Sequence, residues 1–257
     1  MKRIKRKFLS ALVYLFIFLL AVGTSLVIIE PSPDDAKSFA VEHSSSAGGM
    51  SWKSSSVYGG MFIKDTYYPN VSEEDFLKSF DRDVPRHSTK IVPVPMELID
   101  PNDPYVQGIA QYLDELTEGR TQFVKACVAL HFVQTGICYE SDSRLYGCSE
   151  WWASPVETLY MQRGDCEDKA VLYISICLAM DIDCEILDYD GHIDAAVRPE
   201  GYSEYMLCMV SANILMTPRD DFKIDGEYPD IYPIGSLSSL RLMVGDSLAW
   251  AGRFRPF

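Results

Sequence analysis

The sequence predicts an α+β protein in which a buried central helix packs on an antiparallel sheet, preceded by an N-terminal transmembrane helix. Three stretches carry that expectation. Residues 8–29 run 22 positions without a charge. Residues 170–180 are apolar on nearly every side, the mark of a helix buried all round. Four short segments rich in Val, Ile, Leu, Tyr and Met follow, divided by turn signals, and helices before strands is an α+β order.

Taken in order, residues 1–7 (MKRIKRK) hold five Lys or Arg and read as a cytoplasmic basic tail. The run 8–29 is long enough to span about 30 Å of hydrocarbon. It exceeds the apolar core of about 7–15 residues in a cleaved signal, so an uncleaved single-pass anchor is expected, with the rest of the chain outside the cell membrane. Residues 30–60 are rich in Ser, Gly and Pro, lack periodicity and read as a flexible linker, His43 within it being solvated. Residues 61–257 suit one domain.

Within that domain, Ser72 followed by Asp75 is a capping-box pattern for a short helix over 72–80. Val106, Ile109, Leu113 and Leu116 share one face of the next helix, and Phe123, Ala126, Cys127, Leu130 and Val133 repeat the period over 121–136. His131 neighbours that stripe as a core-edge residue. The β segments are CEILDYD, HIDAAVR, EYMLCMV and NILMTP, joined by DG, PEGYS and SA.

The net charge of −14 becomes −18 over residues 31–257, which keep 18 of the 23 Lys and Arg and 36 of the 37 Asp and Glu. Such a surface repels phosphate backbones, so nucleic acid is not an expected partner. Seven cysteines leave room for one free thiol beside pairs. Cys184 and Cys208 lie in neighbouring β segments and Cys138 and Cys148 bracket a loop, each pair being either a disulfide or two thiols. No C-x-x-C and no cysteine with a histidine at ligand spacing occurs, so neither a metal nor another cofactor is expected.

RGDCEDKAVLYISICLAM (163–180) sets Cys166 among carboxylates at a helix start. Asp165 suits the N-cap and Asp168 the third helical position, where both can accept first-turn N–H groups. Glu167 is expected in solvent. A helix N-terminus lowers a thiol pKa, but adjacent negative charge opposes a thiolate. Cys166 therefore needs a cationic partner, and His192, behind Gly191 at the start of a β segment, is the candidate.

ASPVETLYMQRGDCEDKAVLYISICLAM followed by GHIDAAV resembles the transglutaminase-like superfamily, including its prokaryotic cysteine-protease-like members. Pro155, Glu157, Thr158, Leu159, Gly164, Asp165, Cys166, Asp168, Gly191 and His192 match its pattern, and the likeness covers about residues 105–225. It implies a papain-like core, with Cys166 on the central helix and His192 on the following sheet. The family's third residue is an Asp or Glu, and that position falls here at Met216, which cannot orient an imidazole. Asn213 is the preferred substitute, as in papain-like enzymes; Asp220, Asp221 and Asp194, on the strand face of His192, are the alternatives. The backbone N–H of Cys166 and the indole N–H of Trp152 are the expected oxyanion donors, Trp152 being equally a core anchor.

These residues imply a membrane-anchored, extracytoplasmic cysteine protease or amidase acting on peptide or protein amides through a Cys166 thioester. The rival is a catalytically impaired module of the same fold that binds peptide or cell-surface material.

Overall fold

A computed structural model describes residues 32–44, 48–55, 61–87, 94–211, 217–218 and 228–235. All belong to the second of the two units into which the chain divides, Ser32–Phe257. Its centre is helix α7 (Cys166–Ala179), with 13 of its 14 residues buried. α3 (Pro104–Leu116), α4 (Gln122–Gly136) and α6 (Pro155–Met161) pack against it, as do β5 (Asp183–Tyr189) and β6 (His192–Arg198).

The stripes foreseen for α3 and α4 meet in the same core: Val106, Ile109, Leu113, Ala126, Cys127, Leu130 and Val133 are all buried. Asp103 caps α3 through the N–H groups of Tyr105 and Val106, and Thr121 caps α4. α2 (Glu73–Ser79) opens as expected, the Ser72 hydroxyl accepting from the Asp75 N–H at 3.0 Å.

The five-stranded sheet runs β8–β7–β6–β5–β9, antiparallel throughout, with β7 Met206–Cys208, β8 Thr217–Pro218 and β9 Asp230–Gly235. β9 was not foreseen. It follows a stretch of charged and turn residues and carries Pro233 and Gly235, which weaken a strand pattern. Gly191, at φ +77°, turns β5 into β6 and makes His192, paired with Tyr189, the first residue of the new strand.

Two expectations are corrected. The fold class included an N-terminal transmembrane helix, but no helix among the described residues is long and apolar enough to cross a membrane. α7 spans 14 residues and carries Glu167, Asp168 and Lys169 in its first turn. The apolar run 8–29 lies outside the described residues. Nor is 30–60 a featureless linker. It holds α1 (Pro33–His43), capped by Ser32 and burying Ala36 and Ala40. It also holds β1 (Met50–Ser54), whose alternate residues are buried against α4 and which pairs with β2 (Ile63–Tyr67). Trp52 donates to the Tyr112 hydroxyl at 3.1 Å, and Ser54 Oγ lies 2.7 Å from His131 Nδ1. Alanines and a single tryptophan anchor this segment, so its composition concealed its order. His43 is exposed, as expected.

Ahead of α6 stands a buried ion pair. The Arg86 guanidinium meets Glu157 at 3.0 and 3.4 Å, and also donates to the carbonyls of Ser79 and Trp152. Ser154 Oγ and the Trp151 indole complete the ring around Glu157 at 2.9 and 3.0 Å. Removing one partner strands the other charge in the interior. Glu157→Ala should therefore cost about 3–5 kcal/mol in urea denaturation, and Arg86→Met/Glu157→Met should cost much less than the sum of the two single changes. Simple additivity would show the pair to be uncoupled.

Candidate active site

Cys166 is the first residue of α7, and Asp165 occupies the N-cap position. The lead-in is fixed by two short strands, β3 (Cys138–Tyr139) and β4 (Arg163–Gly164), paired in parallel. Gly164 is required here: a Cβ would lie 2.6 Å from the Asp168 Cβ. Asp168 needs that space because it reaches back to accept the Ala153 N–H at 2.7 Å. It thus ties α7 to the chain entering α6 instead of serving the first turn of its own helix. Asp165 makes no side-chain cap bond either. The expected capping roles of these two carboxylates are not what the structure gives them.

Glu167 also departs from expectation. It is buried, and it accepts a hydrogen bond from the Cys166 sulfur at 3.1 Å. Asp142, at the start of α5 (Asp142–Leu145), completes the group and accepts the Trp151 N–H at 2.6 Å. Its contribution was not foreseen, since only the tertiary fold brings the first residue of α5 to the start of α7. Oxygens of Asp142, Asp165 and Asp168 lie within 4.8 Å of one another, as do ligand atoms of Asp165, Cys166 and Glu167. One oxygen each of Asp142, Asp165 and Asp168 has no hydrogen-bond partner. These are the residues whose spacing and oxygen donors could hold a hard cation.

Burial raises the pKa values of Asp142, Asp165 and Asp168, and each carboxylate raises its neighbours further. The same two causes act on sulfur. Burial first, then Glu167, push the Cys166 thiol well above the ordinary thiol range, against a lowering contribution from the backbone of Ile193. Cys166 is 8% exposed, so it touches solvent through a small opening. It is a protonated, hydrogen-bonded thiol in this arrangement.

His192 lies on β6 immediately before Ile193. Its Nε2 is 3.0 Å from Asp194 Oδ2. Residues two apart on a strand share a face, and that spacing brings the imidazole and carboxylate together. Asp194 is fully buried, and its other oxygen accepts the Val210 N–H at 3.1 Å. The Asp194 contact raises the imidazole pKa above its ordinary 6.5, against burial. Burial in turn keeps the Asp194 carboxyl above its usual value despite the imidazole.

Among the other expected residues, Asn213, Met216, Asp220 and Asp221 lie outside the described residues. Trp152 is fully buried in the core, and its indole N–H donates to Glu150 at 3.0 Å. The donor wanted for an oxyanion is thus engaged elsewhere, and its core-anchor alternative describes it. His131 sits in the core with Ser54. All seven cysteines are free, so neither expected pair is a disulfide.

No family model and no curated protein matches the chain. Among solved structures, LapG of Legionella pneumophila superposes on 52% of this chain and 88% of its own at 17% identity and TM-score 0.38. Its EGTA-treated form covers 53% and 80% at 17% identity and TM-score 0.36. Superpositions of that extent carry no argument about what this chain does.

A histidine whose folded pKa is raised contributes stability below its unfolded pKa and loses it as pH rises through the folded value. NMR titration of His192 should therefore give a midpoint above 6.5, and Asp194→Asn should lower it. An unchanged midpoint in the variant would mean that Asp194 does not hold the ring.

Proposed function

We propose that this domain is a transglutaminase-like cysteine hydrolase of peptide or protein amides, with Cys166 as nucleophile, His192 as general base and acid, and Asp194 as the group that orients His192. The observation that carries this reading is the His192–Asp194 contact at 3.0 Å, at the start of the strand that packs on the helix headed by Cys166. Thiol, imidazole and buried carboxylate form the set that nucleophilic acyl transfer needs. Asp194 takes the place given to Asn213 in the sequence reading, because it already holds one ring nitrogen and is itself held by Val210.

With Nε2 engaged, Nδ1 is the ring nitrogen left to take the thiol proton. The resting sulfur gives its hydrogen bond to Glu167, so substrate entry must turn it from Glu167 toward the ring. The thiolate then attacks the amide carbon, and His192 passes the proton to the departing amine. Water, activated by the same ring, hydrolyses the thioester. The Cys166 backbone N–H, at the open end of α7, is the donor for the oxyanion.

A binding module without catalysis is favoured by one observation, the carboxylate that keeps Cys166 protonated. Mass spectrometry of a mixture of unstructured peptides incubated with the protein separates the readings. Hydrolysis is expected, abolished in Cys166→Ala and slowed about 10²–10⁴-fold in Asp194→Asn. Peptide binding without cleavage, equal in wild type and Cys166→Ala, would overturn the enzyme reading.

A further inference from the structure

Tyr139 is a large side chain left 61% exposed on the ribbon that leads into Cys166. It is the second residue of β3 and pairs with Gly164 across the parallel ladder. The Glu140 N–H donates to the Gly164 carbonyl at 3.2 Å and holds that register from the far side. Neighbouring strands lie about 4.8 Å apart, and the step from Gly164 to Cys166, two residues on, spans at most about 7 Å. The Cα atoms of Tyr139 and Cys166 are therefore within about 12 Å of each other.

The face is fixed as well as the distance. Residues paired across a ladder carry their side chains on the same side, and neighbours along a strand alternate. A Cβ on Gly164 would meet the Asp168 Cβ, so Tyr139 stands on the side of the ribbon that faces the first turn of α7. Cys138, its partner Arg163 and Glu140 stand on the other side, where Arg163 and Glu140 line a cavity of about 360 Å³ with Arg144. The ribbon thus turns its arginine away from the head of α7 and its tyrosine toward it. Partial burial, then Cys166, Asp165, Glu167 and Asp142, push the Tyr139 phenol up to about 12. Those four groups are all negative when ionised, so the ring stands in acidic surroundings.

We infer that Tyr139 is a specificity-determining residue, which takes a lysine or arginine beside the scissile amide of the substrate against its ring. The inference rests on the reading of Cys166 as the thiol that meets that amide. A peptide brought to a thiol 8% exposed must lie along the surface on either side of it, within reach of the exposed ring. A cation over an aromatic face is attracted by the ring quadrupole, and the attraction grows as water leaves. Ionised carboxylates nearby add to it. The domain's charge of −18, from 18 basic and 36 acidic side chains over residues 31–257, favours the approach of a basic chain. Neutral side chains gain from none of these.

The test uses the full chain in two arms. In the first, mass spectrometry of a randomised peptide mixture reads which residues flank the cleaved bonds. Lysine and arginine should be enriched about tenfold over neutral side chains, the enrichment kept in Tyr139→Phe and lost in Tyr139→Ala. In the second, fluorescence anisotropy measures binding to Cys166→Ala of an unstructured peptide with one central arginine, and of its neutral citrulline counterpart. The arginine peptide should bind about tenfold more tightly, and adding Tyr139→Ala should remove the difference while Tyr139→Phe keeps it. Arginine-selective binding that needs the Tyr139 ring, without any cleavage by the wild type, would sink the hydrolase reading and uphold the inference. Equal binding of the two peptides, or a preference that survives Tyr139→Ala in either arm, would overturn the inference whether or not peptides are cleaved.

Discussion

A carboxylate moved into a protein interior must find a proton, a donor or a counter-charge, and α7 carries two into the core within its first turn. Asp165 and Asp142 join Glu167 and Asp168 there, Asp165 and Glu167 beside Cys166 and Asp142 and Asp168 behind Asp165. Three are partly answered: Asp168 by the Ala153 N–H, Asp142 by the Trp151 N–H, Glu167 by the thiol itself. Much of the local architecture follows. Gly164 has no side chain because Asp168 fills its space, and the segment from Trp151 to Ala153 lies where it does because two buried carboxylates bind its backbone. The Arg86–Glu157 pair secures the same segment from the other side, with Arg86 stacked 4.9 Å over Trp151.

That acidity sets the chemistry of the sulfur. A helix N-terminus would ordinarily favour a thiolate. Here burial and the Glu167 charge win, and the proton stays on sulfur. His192 lies on β6, where Asp194 meets its Nε2 and raises its basicity. The proposed nucleophile and base therefore stand on different elements, with Glu167 hydrogen-bonded to the first of them.

The sequence made the helical frame and the middle of the sheet legible, because α3, α4, α7, β5 and β6 owe their form to local periodicity and to one Asp-Gly turn. It also pointed to Cys166 and His192, through the G-D-C-E-D segment and the glycine before the histidine. The destinations of the carboxylates were not legible. Nothing local to 163–168 says that Asp168 bonds Ala153, that Glu167 is buried against the thiol, or that Asp142 comes beneath them, since these are long-range contacts set by packing. Asp194 was within reach, because H-x-D on a strand puts both side chains on one face. The family pattern, which puts the third residue on a later strand, favours Asn213 over it. α1 and β1 were overlooked for another reason: Ala36, Ala40 and Trp52 are too sparse to stand out from the serines and glycines around them.

The central claim is that Cys166 and His192 act as a pair that Glu167 holds in check. It is tested most directly by the rate of Cys166 alkylation with iodoacetamide against pH, read on the Cys166 peptide by mass spectrometry in a Cys138→Ser background. The account predicts slow reaction near neutral pH with Glu167 present, faster reaction in Glu167→Gln, and loss of that gain when His192→Ala is added. A Glu167→Gln variant that reacts no faster, or whose gain ignores His192, would contradict it.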